Sequence, residues 1–254
     1  MTAAAAPLPR LGAWVKLPVP ESVELLALAG FDFVVIDAEH AAIDVRTMAT
    51  MIGLARGCGV APFVRVAGTA PRDVQVPLDA GAAGLFVPRV EDAGAARDAV
   101  DATRFPPLGR RGASPSGRAG RWGLDGLAAY LRSGDEEVRL VVQAESVGAL
   151  AAITEIGTVP GVDAVFVGPT DLAVSARSTA WEGRTAELVT AAERRCADRG
   201  VPLGTTAATP AEARELLDRR GYGFLVLGAD STLLRQGGRA LVDAVHATSE
   251  AGAR

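Results

Sequence analysis

Short apolar runs alternate with longer periodic stretches along almost the whole chain. GAWVKL (12–17), FDFVVID (31–37), APFVRV (61–66), GLFVPR (84–89), RLVVQA (139–144), DAVFVG (163–168), VPLGTT (201–206) and GFLVLG (223–228) are brief, rich in β-branched or aromatic residues and bounded by turn formers, as buried strands are. Between them, segments such as 21–30, 45–57, 92–103, 185–200 and 210–221 carry helical periodicity, and several end in glycine. Eight strands, each followed by a helix, in a chain of 254 residues predict a single (β/α)8 TIM barrel over 1–254, with residues 1–10 and 246–254 as flexible ends. A doubly wound sheet is the structural alternative. One stretch breaks the rhythm: RFPPLGRRGASPSGRAGRWG (104–123) is too long for an ordinary connection and reads as a functional loop.

Polar residues gather where a barrel puts its chemistry, at the strand C-termini. The second strand ends in Asp37, Glu39 and His40, the third carries Arg65, the fifth ends in Gln143 and Glu145, and the sixth runs into Asp171. Arg65 inside FVRV needs an anion, either the acidic set or a substrate carboxylate. His40 alone would read as a structural histidine satisfied by Asp37; its neighbours argue for function. Glu145 and Asp171 could each cap a helix. Meeting at one mouth without a second histidine, they call for a hard divalent cation. His246 falls in a terminal helix and reads as a surface residue.

Composition removes other classes. The net charge of −4 leaves no footprint for nucleic acid or anionic membrane. Lys16 is the sole lysine, which rules out a GxxxxGK[ST] phosphate loop, and neither GxGxxG nor GxSxG occurs. Cys58 and Cys196 show no metal spacing. With no leader-like start and no long apolar run, the reading is a cytoplasmic protein acting on a small molecule.

Several longer motifs, in order, resemble the HpcH/HpaI aldolases, which are metal-dependent class II pyruvate aldolases. They are AGFDFVVIDAEH, VRV followed by LDAGAAGLFVPRVEDAGAARDAVDATRFPPLGRRG, VVQAES, GVDAVFVGPTDL and GADSTLLRQG, covering about Leu11 to His246. The resemblance implies a reaction that reversibly cleaves a 4-hydroxy-2-oxo acid to pyruvate, or a related 2-oxo acid, and an aldehyde. It implies His40, oriented by Asp37, as the acid/base group, and Arg65 as the cation at the keto oxygen. Glu145 and Asp171 would hold Mg2+, Mn2+ or Co2+ with Gln143 nearby. Backbone amides at Gly168, Pro169, Thr170 and Asp171 would bind the carboxylate, and Thr206 would line the site. Asp79 matches a position that reaches a neighbouring subunit's site in a homohexamer, a trimer of dimers with a swapped C-terminal helix.

The chain departs from the family pattern after Asp171, at GRRG and at GTTA, which leaves the aldehyde partner open. The rival readings are a Schiff-base aldolase using Lys16, a CoA-thioester carbon–carbon lyase using Arg110, Arg111, Arg118 and Arg121, and a silent carboxylate-binding barrel.

Overall fold

The computed structural model describes Leu8 and residues 10–251, with side chains described through residue 247. The expectations for 1–7, Pro9 and 252–254 lie outside the described residues. Eight parallel strands close a barrel in sequence order: β1 (Leu11–Val15), β2 (Phe33–Asp37), β3 (Ala61–Arg65), β4 (Gly84–Val87), β5 (Arg139–Ala144), β6 (Ala164–Val167), β7 (Leu203–Thr206) and β8 (Phe224–Ala229). Each predicted strand is present within a few residues of its expected bounds.

The helices between them are α1 (Glu21–Leu28), α2 (Val45–Gly57), α3 (Pro71–Asp79), α4 (Ala93–Thr103), α5 (Gly126–Glu136), α6 (Val147–Ala151), α7 (Ile153–Gly157), α8 (Pro169–Ser175), α9 (Thr185–Arg199), α10 (Pro210–Asp218) and α11 (Asp230–Ala251). Local chemistry sets their starts. Asp44, Asp92, Ser146 and Thr209 each accept from backbone amides in the first turn, which covers donors that the helix itself leaves unused. The 104–123 stretch follows α4 and precedes β5, so it belongs to a helix-to-strand connection rather than to the strand C-terminal face. It ends in a 3-10 segment, Arg118–Gly123, in which Arg121 and Trp122 take φ values of 48° and 59°. GADSTLLRQG and the terminal helix join into the single 22-residue α11, which runs through Gly237 and Gly238.

The barrel interior is a plug of aromatic rings. Trp14, Phe33, Phe63, Phe86, Phe166 and Phe224 form one buried cluster with Val35, Val141 and Val226, and most neighbouring rings meet edge to face at 5.4–6.2 Å. Glycine makes room for them. A Cβ on Gly12 would stand 2.3 Å from the Phe33 ring, and one on Gly204 2.2 Å from Phe224. A second, larger aliphatic layer lies between strands and helices.

Successive side chains of a strand point to opposite faces, so the inward set continues upward at every second residue. Phe33 and Val35 are followed by Asp37, Ala61 and Phe63 by Arg65, Val141 by Gln143, and Gly204 by Thr206. The polar mouth is therefore the next layer of the barrel's own packing, placed above the rings.

Candidate active site at the strand C-terminal mouth

A cavity of about 270 Å3 opens at this end, lined by Trp14, Lys16, His40, Arg65, Gln143, Glu145, Phe166, Gly168, Pro169, Thr170, Asp171 and Thr206. It brings together most of the residues singled out in the sequence. Asp37 lies beneath it, fully buried. Asp79 does not line it: at the end of α3, its carboxylate pairs with Arg111 at 2.9 Å and accepts from the Tyr130 hydroxyl at 2.9 Å.

Asp37 and Arg65 are register partners across β2 and β3. Arg65 Nε and Nη2 donate to the two carboxylate oxygens at 3.0 and 2.6 Å, and Lys16 Nζ adds a third contact at 2.6 Å. Burial alone would raise the Asp37 carboxyl; these donors outweigh it and hold the group well below the usual carboxylate range. The guanidinium also lies 4.4 Å from the centroid of the Trp14 ring, so Arg65 is fixed on its edge and on its face.

The expected Asp37–His40 pairing takes a different form. Asp37 Oδ1 accepts the backbone amides of Glu39 and His40, each at 3.1 Å, and no bond reaches the imidazole. With both carboxylate oxygens committed to Arg65 and Lys16, Asp37 fixes the turn that carries His40, and the ring itself is 55% exposed. The nearest acid to its Nε2 is Glu39 Oε2, at 3.7 Å.

Across the mouth, Glu145 Oε1 accepts the Arg89 amide at 2.8 Å and Oε2 accepts from Gln143 Nε2 at 3.0 Å. Arg89 holds φ at 57°, a left-handed conformation uncommon outside glycine, and this aims its N–H at the carboxylate. Burial pushes Glu145 up to about 6; the Arg89 amide opposes the rise, and the charges of Asp171 and Glu39 add to it. Gly168 is needed for space, since a Cβ there would lie 3.0 Å from Glu145 Oε2.

The GPTD stretch needs a correction. Pro169 has no N–H, and the Gly168 amide donates to Ala144 O at 3.3 Å. The amides without a helical partner in this turn are those of Thr170 and Asp171, in the first turn of α8.

A divalent cation fits these residues. Gln143 Oε1 is buried without a partner, beside a carboxylate whose charge is only partly compensated and within the field of a second one. All three offered donors are hard oxygens, the set that suits Mg2+ or Mn2+. Among the described residues no three His, Cys, Asp or Glu side chains gather into one cluster, and the candidate donors lining the cavity are the carboxylates of Glu145 and Asp171 and the amide oxygen of Gln143.

The rival sites look different. Lys16 is an ion-paired ammonium rather than a free amine. The loop arginines are engaged elsewhere, Arg110 with Asp101, Arg111 with Asp79 and Arg121 with Asp125. Arg111, Arg118 and Arg121 line a separate cavity that shares no lining residue with the mouth. Sequence reasoning gave no role to Arg89, Trp14 or Glu39; of these, only Glu39 carried a signal, as an acid at a strand end.

A closed parallel barrel with paired cations, paired carboxylates and a histidine at its C-terminal mouth has the layout of a TIM-barrel enzyme. The chain belongs to the HpcH/HpaI aldolase/citrate lyase family, whose model matches residues 10–237. It is 39% identical over 244 residues to a hydroxypyruvate/pyruvate aldolase of Cupriavidus necator, covering 94% of this chain and 89% of that one. It is 35% identical over 236 residues to a 5-keto-4-deoxy-D-glucarate aldolase of Escherichia coli, covering 92% and 91%. An HpcH/HpaI aldolase/citrate lyase family protein from Burkholderia cenocepacia superposes with a TM-score of 0.84 at 33% identity, over 94% and 95% of the two chains.

Proposed function

We propose that this protein is a divalent-metal-dependent pyruvate aldolase. It reversibly cleaves a 4-hydroxy-2-oxo acid to pyruvate, or a related 2-oxo acid, and an aldehyde. The observation that carries this reading is the unpartnered Gln143 Oε1 beside half-compensated Glu145, in one cavity with Asp171, Arg65 and His40. The aldolase names of the relatives support it.

In this reading Glu145 and Asp171, with Gln143 Oε1, hold Mg2+, Mn2+ or Co2+. A divalent cation held by these residues would supply Lewis-acid charge to the bound 2-oxo acid. The Thr170 and Asp171 amides hold the carboxylate. Arg65, held by Asp37 and Trp14, presents a preorganised positive charge where the enolate oxygen develops, and it needs no reorientation at that moment. His40, exposed in the cavity and uncommitted, takes the proton from the C4 hydroxyl and returns it to C3. Thr206, at the end of β7, lines the same cavity and would contact the substrate there.

The same reading includes a cytoplasmic homohexamer, a trimer of dimers with a swapped last helix, in which Asp79 serves a neighbouring site. Leu234, Leu241 and Val245 on α11 are exposed at one- and two-turn spacings, which supports an apolar contact with another copy. Among the described residues no helix is long and apolar enough to cross a membrane.

The test is pyruvate release from a panel of 4-hydroxy-2-oxo acids under varied divalent ions. Turnover should vanish with EDTA and return with Mg2+, Mn2+ or Co2+. Turnover that persists in EDTA refutes the reading.

A further inference from the structure

One charged group in the mouth has no part in the steps above. Lys16 directly follows β1 and continues the inward series of Gly12 and Trp14, so it stands in the same layer as Asp37 and Arg65. Its backbone is tied down: the Lys16 amide donates to Asp230 Oδ1 at 3.0 Å and the Leu17 amide to Asp230 Oδ2 at 3.1 Å. Asp230 is itself buried. The ammonium lines the cavity with its side chain 33% exposed.

The charge count on this wall is uneven. Arg65 already satisfies both oxygens of Asp37, so Lys16 is a second cation on one carboxylate. An ammonium has three donors, and Asp37 takes one. The remaining two, on a partly exposed group inside a cavity, are available to an oxygen of the ligand.

The ring order says which oxygen. In a closed barrel of eight strands β1 lies four strands from β5, on the far side of the mouth from Gln143 and Glu145. Resting on the aldolase reading, a substrate held by its 2-oxo acid end at β5 and β6 extends its fourth carbon across the cavity towards β1.

We infer that Lys16 is a catalytic residue for the aldehyde half of the reaction, its ammonium donating a hydrogen bond to the oxygen on C4. In cleavage His40 takes the C4 hydroxyl proton and the C3–C4 bond breaks. The electron pair of that bond passes into the enolate, and the C4 oxygen becomes the aldehyde carbonyl. C3 then recovers the proton from His40. Lys16 neither gains nor loses a proton; its fixed charge stabilises the alkoxide that precedes bond breaking and, in the reverse direction, polarises the aldehyde. Its pairing with Asp37 suits a fixed cation and not a nucleophilic amine.

Two rates on the metal-loaded full chain separate this role from a merely structural one. Exchange of the pyruvate methyl protons with D2O involves no C4 oxygen; cleavage of a 4-hydroxy-2-oxo acid does. Lys16→Met should lower cleavage kcat/KM at least about tenfold more than it lowers exchange, and Lys16→Arg should recover part of that difference. Lys16→Gln, which keeps a donor and drops the charge, should show the same split if the Met variant folds poorly. Equal losses in both rates would mean that Lys16 only props Asp37 and Arg65, and would overturn the inference. Unchanged cleavage, or a borohydride-stable substrate adduct on Lys16, would overturn it as well. Wild-type protein that neither exchanges nor cleaves under any divalent ion would instead bring down the aldolase reading beneath it.

Discussion

Asp37 and Arg65 stand opposite each other in register on adjacent strands, and the guanidinium meets both carboxylate oxygens, at 3.0 and 2.6 Å. The pair sits at the boundary between the aromatic plug and the reactive layer. Removing Asp37 takes the nearest anion from a buried guanidinium and leaves it Glu39 at 3.5 Å, while removing Arg65 leaves the buried carboxylate only Lys16 as a cation.

Asp37→Ala should therefore cost about 3–5 kcal/mol in stability, because a buried Arg65 and a half-buried Lys16 lose their shared anion. The acid side gives a second readout. The folded-state carboxyl lies below its unfolded value, so its stabilisation is complete above about pH 4 and is lost as pH falls further. Chemical denaturation of wild type and Asp37→Asn across that range should show the steeper acid loss in wild type. Parallel curves would mean that the pair contributes little.

Glu145, pushed up to about 6 in the metal-free protein, makes cation binding compete with a proton. Mn2+ affinity measured by calorimetry should fall about tenfold per pH unit below about pH 6 and level off above it. Glu145→Gln should bind far more weakly at every pH and lose that slope. A wild-type profile that is flat through this range would remove Glu145 from the cation's ligands.

His40 has more than half of its side chain exposed, and its imidazole makes no hydrogen bond among the described residues. His40→Ala should leave thermal stability and Mn2+ affinity almost unchanged while lowering turnover about 10²-fold or more. Retained turnover would exclude it as the proton carrier.

Gly84 tests the plug. A Cβ there would lie 2.3 Å from the Arg139 carbonyl oxygen and 2.6 Å from the Phe63 ring, neither of which is the end of a flexible chain. Gly84→Ala should destabilise by about 1–3 kcal/mol, read as a lower midpoint in denaturant. An unchanged midpoint would show that the rings can give way.

Much of this was legible in the sequence because β-strands with both faces covered spell themselves out as apolar runs, and a polar residue interrupting one is conspicuous. Arg65 in FVRV and Gln143 in VVQA stand out for that reason. Less visible was anything decided by backbone shape or by partner choice. Arg89 earns its place through a left-handed φ and a main-chain N–H, and neither depends on the arginine side chain. Lys16 and Asp37 are 21 residues apart, and only the register of β1 against β2 shows that the ammonium meets the carboxylate. Helix α3 hid behind Pro71 and Pro77, the first turns of α11 behind two adjacent glycines, and α6 to α8 are too short to display a period.

The ring-filled interior also governs traffic. With Trp14, Phe86, Phe166 and Phe224 sealing the barrel from below, whatever reaches Gln143 and Glu145 enters and departs by a single door. Depth then dictates sequence: the fragment gripped at the base is trapped until the one nearer the opening has gone. In the aldolase reading, aldehyde exits ahead of pyruvate, and pyruvate becomes the inhibitor that competes directly with incoming substrate.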